Sequence, residues 1–291
     1  MSITTSNTAL TGGGKKAMLL CVLLWSTSGL FIKFIDWHPL VISGFRSGIA
    51  ALCMLLVNGK RLFALRPRSA QARALPGWWL LLAAALASAA TKILYVLANK
   101  LTSSANAILL HHSAPVWAAF LGWLLLGEKP IKKQWAALVL ISGGLALFLA
   151  NGLRGGSIVG DGTALAAGIC FGASMVLLRM NREGSPLLCL FVSHCIPVLV
   201  SVPFIASHPP LFTPANTASI LFLGIVQVGI ASLLYAYSIK RIPALDAVFI
   251  AQVEPLLNPL WVFAFTGEIP APLSIAGGAV IIAAVLLSQK R

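Results

Sequence analysis

Charged residues are scarce in this chain. They make up only 10% of the 291 residues, and just 7 residues are acidic. Hydrophobic residues make up 58%, and a soluble domain of this length has too little interior to hide so much apolar surface from water. The composition therefore argues against a soluble domain and predicts an integral membrane protein, for which lipid is the main solvent.

Signatures of common enzyme chemistry are also missing. The five cysteines are odd in number, lie inside apolar stretches and show neither disulfide nor metal-ligand spacing. The chain has no Gly-rich phosphate-binding loop, and its adjacent His111 and His112 lack the His-Glu-x-x-His spacing of a zinc protease. We therefore expect no cofactor, no bound metal and no enzymatic activity.

The net charge of +14 would suggest nucleic acid as a partner if the protein were soluble. Here the cations lie in short connectors between apolar segments, so we assign them to orientation in a membrane and expect no nucleic-acid partner. The lipid bilayer and a small-molecule substrate are the expected partners.

Ten apolar segments are long enough to cross a bilayer as helices. We predict spans over residues 17–35, 39–57, 77–98, 104–126, 131–150, 163–178, 186–205, 218–238, 245–266 and 271–288. Residues 1–16 are expected to form a disordered cytoplasmic tail, the Gly-rich residues 151–162 a linker, and residues 289–291 a second cytoplasmic tail. The fold class is therefore an all-α membrane protein with five spans in each half.

The two halves are an internal repeat. Pro115 aligns with Pro255, Gly127-Glu128 with Gly267-Glu268, and Pro130 with Pro270, and each pair is 140 positions apart (255 − 115). The repeats would therefore cover residues 17–150 and 163–288. Each repeat carries a proline in the middle of its fourth apolar span.

The distribution of cations predicts the topology. If the N-terminus is cytoplasmic, the outside connectors hold only Lys100 and Arg154. The inside connectors then hold Lys15, Lys16, Lys60, Arg61, Arg66, Arg68, Arg73, Lys129, Lys132, Lys133, Arg179, Arg182, Lys240, Arg241, Lys290 and Arg291. This asymmetry places both termini inside. Because each half has an odd number of spans, the repeats are inverted, as in carriers whose central site faces the two sides in turn.

This pattern resembles the EamA branch of the drug/metabolite transporter superfamily. The likeness rests on Ala114-Pro115-Val116-Trp117 through Gly127-Glu128-Lys129-Pro130, and on Glu254-Pro255-Leu256 through Gly267-Glu268-Ile269-Pro270. The resemblance implies a secondary transporter in the bacterial inner membrane. Within the branch, the chain is most similar to exporters of aromatic and other neutral amino acids, and we expect a single chain to be functional.

Polar and aromatic side chains near the middle of the spans are the candidate substrate-binding residues. They are Trp25, Lys92, Tyr95, His111, His112, Pro115, Trp117, Tyr235, Gln252 and Glu254. Successive residues on a helix point about 100° apart, so His111 and His112 cannot both face one cavity, and we assign His111 to it. Pro115 and Pro255 would free the carbonyls of His111 and Ala251 to face the space between the halves.

Each candidate also has a structural interpretation. Glu254 could bind a substrate ammonium group, carry a proton or pair with a cation at a helix end. Lys92 could bind a carboxylate or extend its long stem toward the membrane surface, and Arg46 has the same two interpretations. The prolines could simply kink their helices, and either histidine could be a neutral, hydrogen-bonded packing residue.

Other functions remain open at this point. An exporter or exchanger of other metabolites or of cationic drugs fits the same pattern. An intramembrane enzyme would need a nucleophile with a base or a cluster of metal ligands, and an ion channel would need a continuous polar lining. The two histidines lack zinc-protease spacing and no outside acidic cluster supplies further ligands, which argues against an enzyme, and each span has too few polar residues for a channel.

Overall fold

The computed structural model describes residues 2–62, 77–102, 107, 110–149, 157–182, 184–257, 261, 264 and 272–289. These residues form helices joined by short connections and contain no β-strand. The predicted all-α class is therefore confirmed. The predicted segment 151–156, most of the basic connector over 58–76 and the second Gly-Glu-x-Pro motif lie outside the described residues.

The described helices of the first half are α1 (Ser2–Trp25), α2 (Ser28–Lys33), α3 (Pro39–Leu62), α4 (Gly77–Leu101), α5 (Ala114–Leu126) and α6 (Lys132–Leu149). Those of the second half are α7 (Ile158–Met180), α8 (Pro186–Ser207), α9 (Pro214–Phe222), α10 (Ala231–Ile239), α11 (Ala244–Ala251) and α12 (Pro272–Gln289). A π-helical segment, Leu223–Ile230, joins α9 to α10 without a break.

Five described segments are long and apolar enough to cross a membrane. They are Pro39–Lys60, Trp78–Ala98, Ile158–Met180, Pro186–Ser207 and Pro214–Ile239. Two shorter apolar helices, Ala114–Leu126 and Ala276–Leu287, lie among the other predicted spans. Side chains on the outside of these helices are large and hydrophobic, with Leu56 78% exposed and Val139 72% exposed, as expected for a surface that faces lipid.

The N-terminal residues differ from the prediction. Residues 2–16 were expected to be disordered, whereas α1 already begins at Ser2. Packing accounts for the helical structure near Lys15, because a Cβ atom on Gly14 would come within 2.8 Å of the Cβ atom of Arg241. The chain contains no proline before Pro39 that would stop the helix earlier.

Helices of the two halves pack against one another in exchanged pairs. Helix α4, in the third predicted span of the first half, packs on α7, in the first predicted span of the second half. The reverse pair also packs together: α1 belongs to the first span of the first half and α10 to the third span of the second half. Likewise, α3 contacts the π-helical segment and α4 contacts α8. Three further pairs, α3 with α8, α5 with α11 and α6 with α12, join equivalent helices of the two halves. This is the pattern that a pseudo-two-fold axis between the halves produces.

Three apolar spans are interrupted near their middles. The turns lie at Ser26-Thr27 between α1 and α2, at His112-Ser113 before α5, and at Gln252-Val253 after α11. The last two occupy equivalent positions in the repeat and precede Pro115 and Pro255, which lack the N–H group that would continue the helix. The first interruption has no proline. There the hydroxyls of Ser26 and Thr27 donate to the carbonyls of Leu23 and Leu24 at 2.8 and 2.7 Å.

The break before α5 is held against two glycines of α7. A Cβ atom on Gly168 would lie 2.7 Å from the carbonyl oxygen of Leu110 and 2.8 Å from that of His111. A Cβ atom on Gly172 would lie 2.8 Å from the carbonyl oxygen of Ala114. These three carbonyl groups therefore face α7. The His111 carbonyl points toward the second half, as predicted, but it meets a closely packed helix there instead of open space.

We expect Gly168→Ala to destabilise the protein, because its methyl group would collide with backbone atoms that cannot move aside cheaply. Overpacking of this kind costs about 1–3 kcal/mol. The matched control is Gly162→Ala on the same helix, where nothing lies within 4 Å of the added Cβ atom. Thermal unfolding in detergent should show a lower Tm for Gly168→Ala alone, and equal Tm values for the two variants would contradict the packing argument.

Candidate functional site

A cavity of about 130 Å³ lies between the two halves, lined by residues of both. One buried water needs roughly 10–15 Å³, so this volume can hold a small organic molecule. The interrupted helices border it, since Trp25 and Ser28 flank the first break, His111 adjoins the second and Glu254 follows the third. The π-helical segment contributes Gln227 and Val228, in keeping with the frequent occurrence of π-helical turns at functional sites.

Five rings form a continuous chain along the wall. Tyr95 contacts His111 with centroids 4.7 Å apart, and His111 stacks on Phe171 at 5.1 Å. Phe171 meets Trp25 edge to face at 6.1 Å, and Trp25 meets Tyr235 at 5.5 Å. The end members, Tyr95 and Tyr235, are equivalent in the repeat. This wall presents aromatic faces and edges to an apolar or ring-bearing ligand.

Charged side chains of both signs face the same space. Arg46 of α3 and Lys92 of α4 come from the first half, and Glu254 comes from the second. Charged groups at this depth in a membrane protein pair with one another or line a polar cavity, because burying an isolated charge costs several kcal/mol. Their position on a common cavity provides one region for an anionic group and another for a cationic group.

Lys92 is bound by helix α8 of the opposite half. Its Nζ atom donates to Ser193 Oγ at 2.7 Å, lies 3.4 Å from the Ser193 carbonyl oxygen, and lies 3.2 Å from His194 Nδ1. With Nδ1 as an acceptor, His194 carries its proton on Nε2, which lies 2.9 Å from Ser232 Oγ. Ser232 is the repeat equivalent of Lys92, so His194 contacts equivalent positions from both halves.

Several polar atoms in the wall have no partner in the described part of the chain. They are Ser47 Oγ, His111 Nδ1, Gln227 Oε1 and Tyr235 OH, all on residues less than 9% exposed. A buried polar atom without a hydrogen bond costs about 1–3 kcal/mol. Four such atoms around one cavity indicate that a polar ligand or water completes the network.

Six of the ten predicted site residues line this cavity. They are Trp25, Lys92, Tyr95, His111, Tyr235 and Glu254. Trp25 comes from α1, Lys92 and Tyr95 from α4 and Tyr235 from α10, whereas His111 and Glu254 lie beside two of the helix breaks. The structure thus brings six candidates that are distant in sequence together around one space.

The other four predicted residues lie outside the cavity wall. Trp117 belongs to the face of α5 that packs on α7, where its Cβ atom would lie 3.0 Å from a Cβ atom on Gly172, and its Nε1 donates to Ser113 Oγ at 3.2 Å. Pro115 is buried. His112 and Gln252 are 4% and 0% exposed and occupy equivalent positions at the two proline-associated breaks. Neither lines the cavity; the residues that reach the wall there are His111, next to His112, and Glu254, two positions after Gln252.

The sequence analysis did not select several wall residues. Arg46 had been left undecided, and Ser47, Thr91, His194 and Ser232 had not been singled out. Hydroxyl groups in apolar helices usually bond their own backbone and carry little signal. His194 could have been noticed as an isolated ionisable residue in a span, and Trp25-Ser26-Thr27-Ser28-Gly29 as a polar interruption of the first.

The EamA-like transporter family model matches this chain over residues 14–150 and again over 158–289. The chain belongs to this family. The two matched segments agree with the internal repeat found in the sequence, and the family indicates a transporter rather than an enzyme. The described residues bring no three His, Cys, Asp or Glu side chains together as metal ligands.

Relatives of this EamA-family chain include transporters from several bacteria. An uncharacterized transporter, YwfM of Bacillus subtilis, is 26% identical and the match covers 93% of this chain and 91% of the relative. A probable terminal-alkyne amino-acid exporter of Streptantibioticus cattleyicolor is 27% identical over 94% and 93% of the two chains. The pseudopaline exporter CntI of Pseudomonas aeruginosa is 25% identical over 64% and 66%.

A solved crystal structure has the same fold. It superposes with a TM-score of 0.78 and covers 96% of each chain at 18% sequence identity. The arrangement of helices is therefore shared with an experimentally determined protein.

The Lys92 network gives a prediction about stability. We expect the effects of Lys92→Met and Ser193→Ala on the free energy of unfolding to be non-additive, with a favourable coupling of about 1–2 kcal/mol. The reason is that each substitution removes one partner of the same hydrogen bond. A double-mutant cycle measured by reversible denaturation in detergent checks this. Ser207→Ala on the same helix is the control, since Ser207 is exposed and bonds only its own helix backbone among the described residues apart from adjacent His208. Equal coupling in both cycles would contradict a specific contact.

Proposed function

We propose that this EamA-family protein is a secondary transporter that exports small amphipathic metabolites, above all aromatic and other neutral amino acids. The observation that carries the proposal is the single cavity between the halves, which combines an aromatic wall with cationic and carboxyl side chains. A neutral amino acid presents the matching groups, namely a carboxylate, an ammonium and an apolar side chain. The six predicted residues in the wall are its proposed binding residues.

Alternating access is the proposed mechanism. Ten spans in two inverted five-helix repeats would let the same cavity open to either side by rocking one bundle against the other. The exchanged contacts between the halves support such symmetry, and the polar side chains of His111 and Glu254 line the cavity beside two of the helix breaks. Both halves of one chain supply the wall, so we propose that the monomer is sufficient.

The names of two relatives support both the proposed direction of transport, which is export, and the proposed class of substrate. One relative is named a probable terminal-alkyne amino-acid exporter and another a pseudopaline exporter. A cationic drug fits the cavity less well, because Arg46 and Lys92 place positive charge beside it. An amino acid satisfies both signs of charge in the wall at once.

The transporter is proposed to lie in the bacterial inner membrane with both termini cytoplasmic, on the basis of its cationic connectors. We expect alkaline phosphatase fused after Arg291 to be inactive and green fluorescent protein fused there to fluoresce. Insertion of either reporter near Arg154 should give the opposite result. An active phosphatase at the C-terminus would contradict the orientation.

Counterflow in liposomes tests the transport proposal. Purified protein in liposomes loaded with unlabelled phenylalanine should accumulate radiolabelled phenylalanine from outside, and neutral amino acids should block this accumulation. Protein-free liposomes and excess unlabelled arginine are the controls. If the folded protein shows no counterflow, the amino-acid assignment is wrong.

The aromatic wall predicts selectivity among neutral amino acids. Phe171→Ala should weaken competition by phenylalanine about two- to tenfold while changing competition by alanine less, because a ring–ring contact is worth about 0.5–1.5 kcal/mol. The control is Phe120→Ala, whose side chain is 54% exposed on the outer face of α5. Equal losses for phenylalanine and alanine would contradict contact between the wall and the substrate ring.

A further inference from the structure

We propose that Arg46 binds the carboxylate of the transported amino acid and that Glu254 binds its ammonium group. The substrate would thus lie in one orientation, with its acidic end against the first half and its basic end against the second. This inference rests on the proposed function and adds to it the groups that discriminate between an amino acid and its singly charged analogues.

Arg46 is a buried cation that has no anionic partner in the part of the chain that the structure describes. Its side chain lines the cavity with 8% of the residue exposed, and no acidic side chain in the described part of the chain forms an ion pair with it. A guanidinium group keeps its charge and presents N–H donors in a planar fork that matches the two oxygens of a carboxylate. A substrate carboxylate would supply the missing charge and the missing acceptors together.

Lys92 is less suited to receive the carboxylate, although it faces the same cavity. Its contacts with the Ser193 hydroxyl, the Ser193 carbonyl oxygen and His194 match the three donors of an ammonium group. A substrate carboxylate would have to break one of these bonds to reach Lys92. Lys92 is therefore a positioning residue that joins α4 to α8 and adds positive charge to the Arg46 side of the cavity.

Glu254 supplies the opposite charge. It is the one acidic side chain among the described residues of the wall, and no hydrogen bond to another described residue occupies its carboxyl group. It follows the break at Gln252-Val253, whereas Arg46 lies in helix α3 of the other half, before the kink of that helix at Asn58. The two ends of an amino acid can therefore contact different halves at the same time.

The orientation also places the substrate side chain. The cavity that holds both charged groups is also bordered by the rings of Trp25, Phe171 and Tyr235. With its carboxylate and ammonium bound at Arg46 and Glu254, a neutral amino acid would direct its remaining group toward these rings. A substrate that lacks either charge would leave one buried side chain uncompensated, which is the physical basis of the discrimination.

Competition for phenylalanine counterflow by two analogues tests the assignment. Phenylalaninamide keeps the amine and lacks the carboxylate, whereas 3-phenylpropionate keeps the carboxylate and lacks the amine. For the wild-type protein, each should compete at least about tenfold more weakly than phenylalanine, as expected for loss of a hydrogen bond to a charged group.

The variants should change the two discriminations separately. Arg46→Gln should weaken competition by phenylalanine itself, so that phenylalaninamide competes within about threefold of phenylalanine. 3-Phenylpropionate should remain a poor competitor. Glu254→Gln should have the reverse effect and bring 3-phenylpropionate close to phenylalanine. Arg46→Lys keeps the charge without the planar fork and should retain discrimination against the amide at reduced affinity.

Arg182→Gln, at an exposed position after α7, is the matched control and should leave both ratios unchanged. Gel filtration and Tm measurements establish that each variant is folded. If Arg46→Gln misfolds, the deciding measurement is how strongly phenylalanine competes relative to phenylalaninamide in Arg46→Lys. Equal competition by the two compounds overturns the assignment. Unchanged ratios in both Arg46→Gln and Glu254→Gln would also overturn it, while wild-type counterflow would still uphold the proposed function. Absence of wild-type counterflow would remove both.

Discussion

Backbone groups that leave a helix inside a bilayer cannot turn to water, and this constraint organises the centre of the molecule. At the break before α5, Pro115 removes a donor, yet the freed groups do not remain exposed to lipid. The hydroxyl of Ser113 donates to the carbonyl of Leu110 at 2.6 Å. Gly168 of α7 has no side chain and lets the carbonyls of Leu110 and His111 approach its backbone closely. The interruption is tolerated because a neighbouring helix and a side chain accommodate it.

The cavity follows from the same arrangement. Where the helices are interrupted, side chains that would otherwise point along a regular face are turned toward the space between the halves. His111 and Glu254 enter the wall in this way, each beside a proline-associated break. These polar side chains consequently face other polar groups of the wall instead of lipid.

The two halves share a backbone pattern but differ in charge. Lys92 is equivalent to Ser232 and Tyr95 to Tyr235, and aligning α3 with α8 on their first prolines pairs Arg46 with Ser193. The tyrosines are retained at both ends of the aromatic wall, whereas both cations lie in the first half. A symmetric frame suits a site that opens to either side, and the asymmetric charge suits a ligand whose two ends differ.

Local information in the sequence was enough to predict that the chain is a membrane protein, that it contains an internal repeat and that two of its helices are interrupted near prolines. Hydropathy and the missing N–H group of proline act over a few residues, so no knowledge of neighbours was needed. It was not enough for the break at Ser26-Thr27, which has no proline and whose Ser26 hydroxyl accepts a hydrogen bond from Trp261 at 2.9 Å. It also failed to separate Gln252, which is buried outside the cavity, from Glu254, which lines it, although the helical step did favour His111 over His112.

Composition and the repeated pattern are thus enough to establish an all-α membrane protein with two similar halves and polar groups near the middle of its spans. They are not enough to tell which of those groups share a cavity, because that depends on how each helix is rotated about its axis and on which partner it packs against. Arg46 shows the difference most clearly. Its sequence environment is that of any lone cation in a span, and its significance comes from lining the same cavity as Glu254 while no acidic side chain among the described residues forms an ion pair with it.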